Sequence, residues 1–220
     1  MNSKKISAVL AAALSLSILA GCSSKTEQQE TTAASSAAGT SVSAETSETS
    51  ETSETSEATA PSGEENGTFL SGYATFELGS DNLKDGVWDN VISNTEAGEN
   101  KSPQLKWEPV DGAGLYVIYM VDPDGGNWLH WRSDGVKETT LPVGWAPAED
   151  YVGPYPPAGS THTYDVYVVA LKKPIERLRG VFNGSNIKFE EFIRGVDTDA
   201  EGGSGNIISY GYLSGTFTSQ

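Results

Sequence analysis

The sequence predicts a mainly β domain over residues 67–220, an antiparallel β-sandwich with small helical additions. Three observations predict it. Residues 115–121, 164–171 and 206–217 are runs rich in apolar, aromatic and β-branched side chains, with the length of strands. Long Gly/Pro-rich loops separate them, a spacing that suits packed sheets better than alternating βα units. Only one segment, residues 185–196, carries a convincing helical period.

In chain order, residues 73–78 read as a strand. Residues 115–121 (Leu-Tyr-Val-Ile-Tyr-Met-Val) are continuously apolar or aromatic, with Gly112 and Gly114 before them and Asp122-Pro123 after. A run this short, without polar alternation, is a strand buried on both faces. Residues 164–171 form a second such run. In the helical segment, Phe189, Phe192, Ile193 and Val196 follow i, i+3, i+4, i+7, and Ser185 stands as its N-cap. Residues 206–217 form the third long strand, where Gly211 and Gly215 mark expected bulges or bends. Trp88, Trp107, Trp131 and Trp145 are expected to pack in the core or under loops.

The N-terminus reads as an address. Lys4 and Lys5 precede a short apolar stretch, residues 6–20, that ends in Leu19-Ala20-Gly21-Cys22 and resembles a bacterial lipobox. Residues 1–21 are therefore expected to be a lipoprotein signal peptide, with Cys22 as the lipidation site. Cys22 is the only cysteine, so the chain forms no internal disulfide and no cysteine-based metal or redox centre. Two or more acyl chains would hold it stably at a membrane. Residues 22–66 include four consecutive Thr-Ser-Glu units and almost no large apolar side chain. Such a segment buries too little surface to offset its ordering entropy and reads as a disordered tether. The expected location is the extracytoplasmic face of a bacterial cell membrane.

The domain from Gly67 carries 11 basic and 21 acidic side chains, a net charge of −10. That balance argues against nucleic-acid binding and against electrostatic docking on anionic lipid. No Gly-x-Ser-x-Gly elbow, Walker-type loop or dinucleotide glycine motif is present, and no cofactor is implied. Asp197, Asp199 and Glu201 precede Gly202-Gly203 but lack the order of a calcium loop, and read as a solvated loop.

The chain has only two histidines, and each is the polar centre of a Gly/Pro/aromatic segment beside a strand. Such loops are where a rigid scaffold presents binding groups. By strand alternation, His130 would share a face with Trp128 and Arg132, and His162 with Tyr164. Asp122 ends the first long strand, so all three could meet at one end of the sheet.

These residues resemble those of the phosphatidylethanolamine-binding protein family, including its bacterial Raf-kinase-inhibitor-like members. Residues 100–107 look like its N-x-S-P-x-L-x-W segment, and Asp122-Pro123-Asp124 like the start of its D-P-D-x-P motif. His130-Trp131 looks like its H-W motif, and Gly153 through Tyr164 like G-P-x-P-P-x-G-x-x-H-x-Y. Residues 212–217 resemble its closing L-x-G-T-[YF] strand. The order and spacing agree across the domain. The resemblance implies a Greek-key type β-sandwich with an anion pocket for phosphate-like groups, such as a phosphoethanolamine headgroup. Its members here would be Asp122, Asp124, His130, Gly153, Pro156, Pro157, His162 and Tyr164. Gly153 would let the backbone approach an anion, and the prolines would stiffen the wall.

The chain departs from the pattern in three places. Gly125-Gly126 replace a later proline, so that loop is expected to be more mobile. Tyr155 stands where many bacterial members have cysteine, and is a further candidate contact at the mouth. Arg132-Ser133-Asp134-Gly135 follow His130-Trp131, which leaves the next strand in question and adds Arg132 as a candidate anion contact. The expected activity is non-catalytic binding of a phosphate-bearing small molecule or phospholipid headgroup. The alternatives are an interaction or protease-inhibitor module with an envelope partner, and a His/Asp hydrolase or metal site.

Overall fold

The computed structural model describes residues 68–220. The expected signal peptide, Cys22 and the tether lie outside the described residues. The strands are β1 (Ala74–Thr75), β2 (Leu78–Gly79), β3 (Leu83–Lys84), β4 (Val87–Trp88), β5 (Leu105–Trp107), β6 (Leu115–Asp122), β7 (Trp128–Val136), β8 (Thr140–Leu141), β9 (Thr161–Leu171) and β10 (Ile207–Thr218). One short helix, α1 (Phe189–Arg194), follows β9. The main sheet runs β3-β4-β10-β9-β6-β7, with β1 also paired to β10, and a small sheet runs β2-β5-β8.

Strand β6 explains the layering. All eight of its residues are buried. Tyr116, Ile118 and Met120 point into a core shared with Leu78, Leu105, Trp107 and Leu141 of the small sheet. Leu115, Val117, Tyr119 and Val121 point the other way, onto Phe189 and Ile193 of α1. Strand β9 divides likewise: Tyr164, Val166, Val168 and Ala170 face the small sheet, and Tyr167, Val169 and Leu171 face the helix. The long apolar runs exist because both faces of the main sheet are covered. The expected sandwich with small helical additions is therefore observed, as a sheet covered by a small sheet on one side and by a helix and loops on the other.

Several local expectations are corrected. Residues 73–78 do not form one strand. They split into β1 and β2, which belong to different sheets, with Phe76 between them packing edge-on against Tyr116. The pairing is not wholly antiparallel, since β1 and β4 run parallel to β10. The glycines of β10 are not bulges: pairing with β9 is regular from Ser209 to Thr218. A Cβ on Gly211 would lie 2.6 Å from Phe76 Cε2 and 2.8 Å from Leu78 Cβ, and one on Gly215 would meet Leu83 and Trp88. Glycine there admits close packing of the β1–β4 segment.

The helix starts at Phe189 rather than Ser185, because residues 180–186 are wound around buried Asn186. Asn186 accepts the Val181 N–H and donates to the carbonyls of Val181 and Gly184. Ser185 caps nothing and donates to the Gly126 carbonyl at 2.6 Å. That contact, and the Asn186 N–H on the Gly126 carbonyl, tie down the loop expected to be mobile. In the acidic segment, Asp199 accepts the Glu201 and Gly203 N–H groups and Asp197 accepts that of Ile207, so two carboxylates organise loop backbone. Among the described residues no helix is long and apolar enough to cross a membrane.

Candidate functional site

Strand β6 ends, β7 begins and β9 begins at one end of the main sheet. There Asp122, Gly125, Trp128, His130, Val152, Gly153, Tyr155, Pro156, Pro157, His162, Asn94 and Asn183 line a cavity of about 390 Å³. That is the scale of a small-ligand pocket. A larger hollow of about 630 Å³ beside Trp107 holds neither histidine.

Asp122 is the last residue of β6 and is buried. Its Oδ1 accepts the Gly125 N–H at 2.8 Å, and its Oδ2 lies 2.7 Å from His162 Nδ1. A carboxylate without a proton only accepts, so Nδ1 of His162 is the protonated ring nitrogen. Glycine at 125 leaves this carboxylate room, since a Cβ would stand 2.9 Å from Asp122 Oδ2.

His130 sits at a break in the β6–β7 ladder. Met120 pairs with Trp131 and Val121 with Leu129, so His130 is an extra, unpaired residue in a β-bulge. The bulge carries the ring to the cavity face, 5% exposed overall. Its Nδ1 lies 2.8 Å from the Val152 carbonyl oxygen, so Nδ1 carries the hydrogen and Nε2 is the nitrogen available to the cavity. Burial lowers the His130 pKa below its ordinary value of 6.5, and the His162 charge adds to this. The Val152 carbonyl, Asp122 and the Gly153 backbone oppose it.

Tyr164 supports this arrangement from below. Its ring meets that of His130 edge-on, with centroids 5.2 Å apart. Its hydroxyl is buried and has no hydrogen-bond partner among the described residues. Burial raises its pKa well above the ordinary 10, as do the Asp122 and Asp124 charges, and the nearby Tyr155 backbone offsets this only in part. The hydroxyl therefore stays protonated.

The structure thus brings Asp122, His130, Gly153, Pro156, Pro157, His162 and Tyr155 to one cavity, with Tyr155 69% exposed at its mouth. Two expected contacts serve behind it. Tyr164 packs under His130, and Asp124 accepts the Thr163 N–H at 2.7 Å, fastening the β6–β7 turn to β9. Packing alone already requires glycine at 153. A Cβ there would strike the Ile92 carbonyl and lie 2.9 Å from Asn94 N, so the residue admits packing of residues 92–94. Arg132 is not in the cavity. The bulge reverses the alternation that would have put it beside His130, and its Nη1 donates to the Gly180 carbonyl at 2.7 Å. The strand continues through Arg132 to Val136.

Sequence reasoning missed Asn94, Gly125, Trp128, Val152 and Asn183 as lining residues. Trp128 had a signal in its parity with His130, and its indole N–H donates to Asn183 Oδ1 at 3.1 Å. Asn94 and Asn183 come from remote loops and carry no such mark.

The comparisons with known proteins agree with this architecture. A family model described as phosphatidylethanolamine-binding protein matches residues 83–201. Among solved structures, Escherichia coli YbcL, described as a new member of the mammalian PEBP family, aligns with 67% of this chain and 100% of its own. The identity is 21% and the TM-score 0.50, a likeness of fold. A putative phosphatidylethanolamine-binding protein homolog from Chlamydia trachomatis, CT736, aligns with 66% of this chain and 99% of its own, at 21% identity and a TM-score of 0.49. No curated protein matches the sequence.

Proposed function

This chain belongs to the phosphatidylethanolamine-binding protein family, and we propose that its cavity binds an anionic, phosphate-like group without catalysis. The ligand would be a phosphomonoester or a phospholipid headgroup. The carrying observation is that the only two histidines converge on one cavity with their Nδ1 atoms anchored, by Val152 and by Asp122. Anchored rings present Nε2 at fixed positions, as a site needs for orienting a small ligand. The Asn183 side chain accepts through Oδ1 from Trp128, which leaves its amide hydrogens for an acceptor ligand. Trp128 and Tyr155 supply apolar walls at the mouth. The lipobox-like segment ending at Cys22 supports placing this domain on a bacterial envelope by a lipid anchor, with residues 22–66 as the tether.

The test is a titration of the full chain with inorganic phosphate and with phosphoethanolamine, followed by NMR of the imidazoles, of which there are only two. Saturable shifts of both, lost in His130→Ala and His162→Ala, are the expected result. Arg132→Ala should bind unchanged, because its guanidinium is held on the opposite face. No shift of either histidine at millimolar ligand would overturn the reading. An envelope protein captured equally by wild type and by both histidine variants would instead favour the interaction-module reading.

A further inference from the structure

The hydrogen-bond roles in the cavity carry a consequence for any anion that enters it. His130 spends its Nδ1–H on the Val152 carbonyl, and His162 spends its Nδ1–H on Asp122 Oδ2. A neutral imidazole has one N–H only. In the neutral state both rings therefore offer the cavity an Nε2 lone pair, beside the Asp122 carboxylate that also lines it. At both rings and at Asp122 an acceptor-only anion would meet acceptors, with side-chain amides such as that of Asn183 as the neutral donors. The site becomes a pair of donors only when protons arrive at Nε2.

We propose that the cavity takes up its anion together with protons, one for each histidine Nε2 that contacts it, so that ligand affinity is set by pH. This rests on the anion-binding reading above and specifies its regulation. The balance is simple: the free protein and the anion combine with one or two protons from solvent, each forming an Nε2–H that donates to a ligand oxygen, and no other bond breaks. The groups facing the two rings are few. From β6 comes Asp122, with Asp124 at the following turn acting on Tyr164; from β9 comes Tyr164 against His130, and the charge of each histidine acts on the other; from residues 151–157 comes Tyr155 at the mouth. No lysine or arginine lines the cavity. Permanently charged donors are thus missing from its lining, and the side-chain amides of Asn94 and Asn183 are the neutral donors that do not depend on pH. Burial of His130 sharpens the gate, because it keeps that ring neutral to lower pH when no anion is present.

Asp122 also permits a sign-reversing variant. Its Oδ1 is fixed by the Gly125 N–H, and its Oδ2 faces His162. In Asp122→Asn the amide oxygen keeps the Gly125 contact, and the NH₂ takes the place of Oδ2. That group donates to His162 Nδ1, which forces the neutral ring to carry its hydrogen on Nε2. One donor then exists without an added proton.

The experiment uses the full chain and dimethyl phosphate, an acceptor-only anion whose charge does not change over the range studied. Dissociation constants are measured by imidazole NMR between pH 5.5 and 8.5, and calorimetry is run in buffers of differing ionisation enthalpy. Affinity should weaken by about tenfold per pH unit for each proton required, and the heat should vary with the buffer. Asp122→Asn should bind more tightly than wild type at pH 8.5 and show a shallower slope. Binding with equal affinity at all pH values and no buffer dependence would overturn the proton coupling while leaving anion binding intact. Weaker binding by Asp122→Asn at every pH would also overturn it, since Asp122 would then merely shape the cavity. No binding at any pH would overturn both this inference and the function it rests on.

Discussion

Gly125→Ala isolates the contact on which His162 depends. Gly125 is not at positive φ, so alanine adds no backbone strain. Its Cβ would sit 2.9 Å from Asp122 Oδ2, 3.2 Å from Asp122 Cγ and 3.3 Å from Trp128 Cβ. Comfortable contacts begin at about 3.5 Å, so the carboxylate must retreat by roughly half an ångström. The retreat stretches a 2.7 Å hydrogen bond to His162. A hydrogen bond to a charged group contributes about 1.5–3 kcal/mol, and losing much of it costs roughly 1–2 kcal/mol. Against this, alanine lowers unfolded-state entropy, a gain of about 0.4–1 kcal/mol. The net expectation is a loss of roughly 0.5–1.5 kcal/mol. With a urea slope of about 1–3 kcal/mol/M, the unfolding midpoint falls by about 0.2–1.5 M. The imidazole resonance of His162 should move and that of His130 should not. A midpoint that rises while the His162 resonance stays in place would refute the argument, because only the entropy effect would then have been felt.

Gly211→Ala should destabilise by about 1–3 kcal/mol in urea unfolding, because its Cβ would overlap Phe76 and Leu78; a neutral result would show that β1 and β2 are loosely seated. Tyr164→Phe removes a buried hydroxyl without a partner and should leave stability unchanged or raise it by up to about 1 kcal/mol; a clear loss would reveal a partner for that hydroxyl. The unfolded state protonates its histidine near 6.5 while native His130 resists protonation, so native stability is full above that value and falls as pH drops through it towards the folded pKa. Thermal melts from pH 7.5 to 5.5 should show this loss in wild type and a smaller one in His130→Gln, and equal losses would remove His130 as its source.

What the sequence revealed follows from what each element must satisfy. Strands β6 and β9 were legible because both their faces are buried, which writes an unbroken apolar run. The convergence of Asp122, His130 and His162 was legible because each ends or begins a strand at the same end of the sheet. Strands β1 to β4 were not, since two residues hold no period. Gly211 and Gly215 were misread because a glycine that admits a neighbour's ring looks, in sequence, like one that bends a strand. Arg132 was misplaced because a bulge belongs to the pairing of two strands, and β7 alone carries no sign of the extra residue.

That extra residue also explains how the site is held. Between Trp128, opposite Asp122, and Trp131, opposite Met120, a regular strand has room for one residue, and Leu129 fills that place opposite Val121. His130 is surplus to the ladder, and its polar groups turn to residues 150–152 instead. Its carbonyl accepts the Val152 N–H at 2.8 Å while its ring donates to the Val152 carbonyl. The Arg132 N–H reaches the Asp150 carbonyl at 3.0 Å, so this segment covers the open edge of β7. The same segment runs on into Gly153, Pro156 and Pro157, the facing wall of the cavity. His130 and the wall are therefore one hydrogen-bonded unit. A proton arriving at His130 would change the charge on the ring that clamps Val152, so the proposed proton coupling would reach the wall through a single residue that the ladder left over.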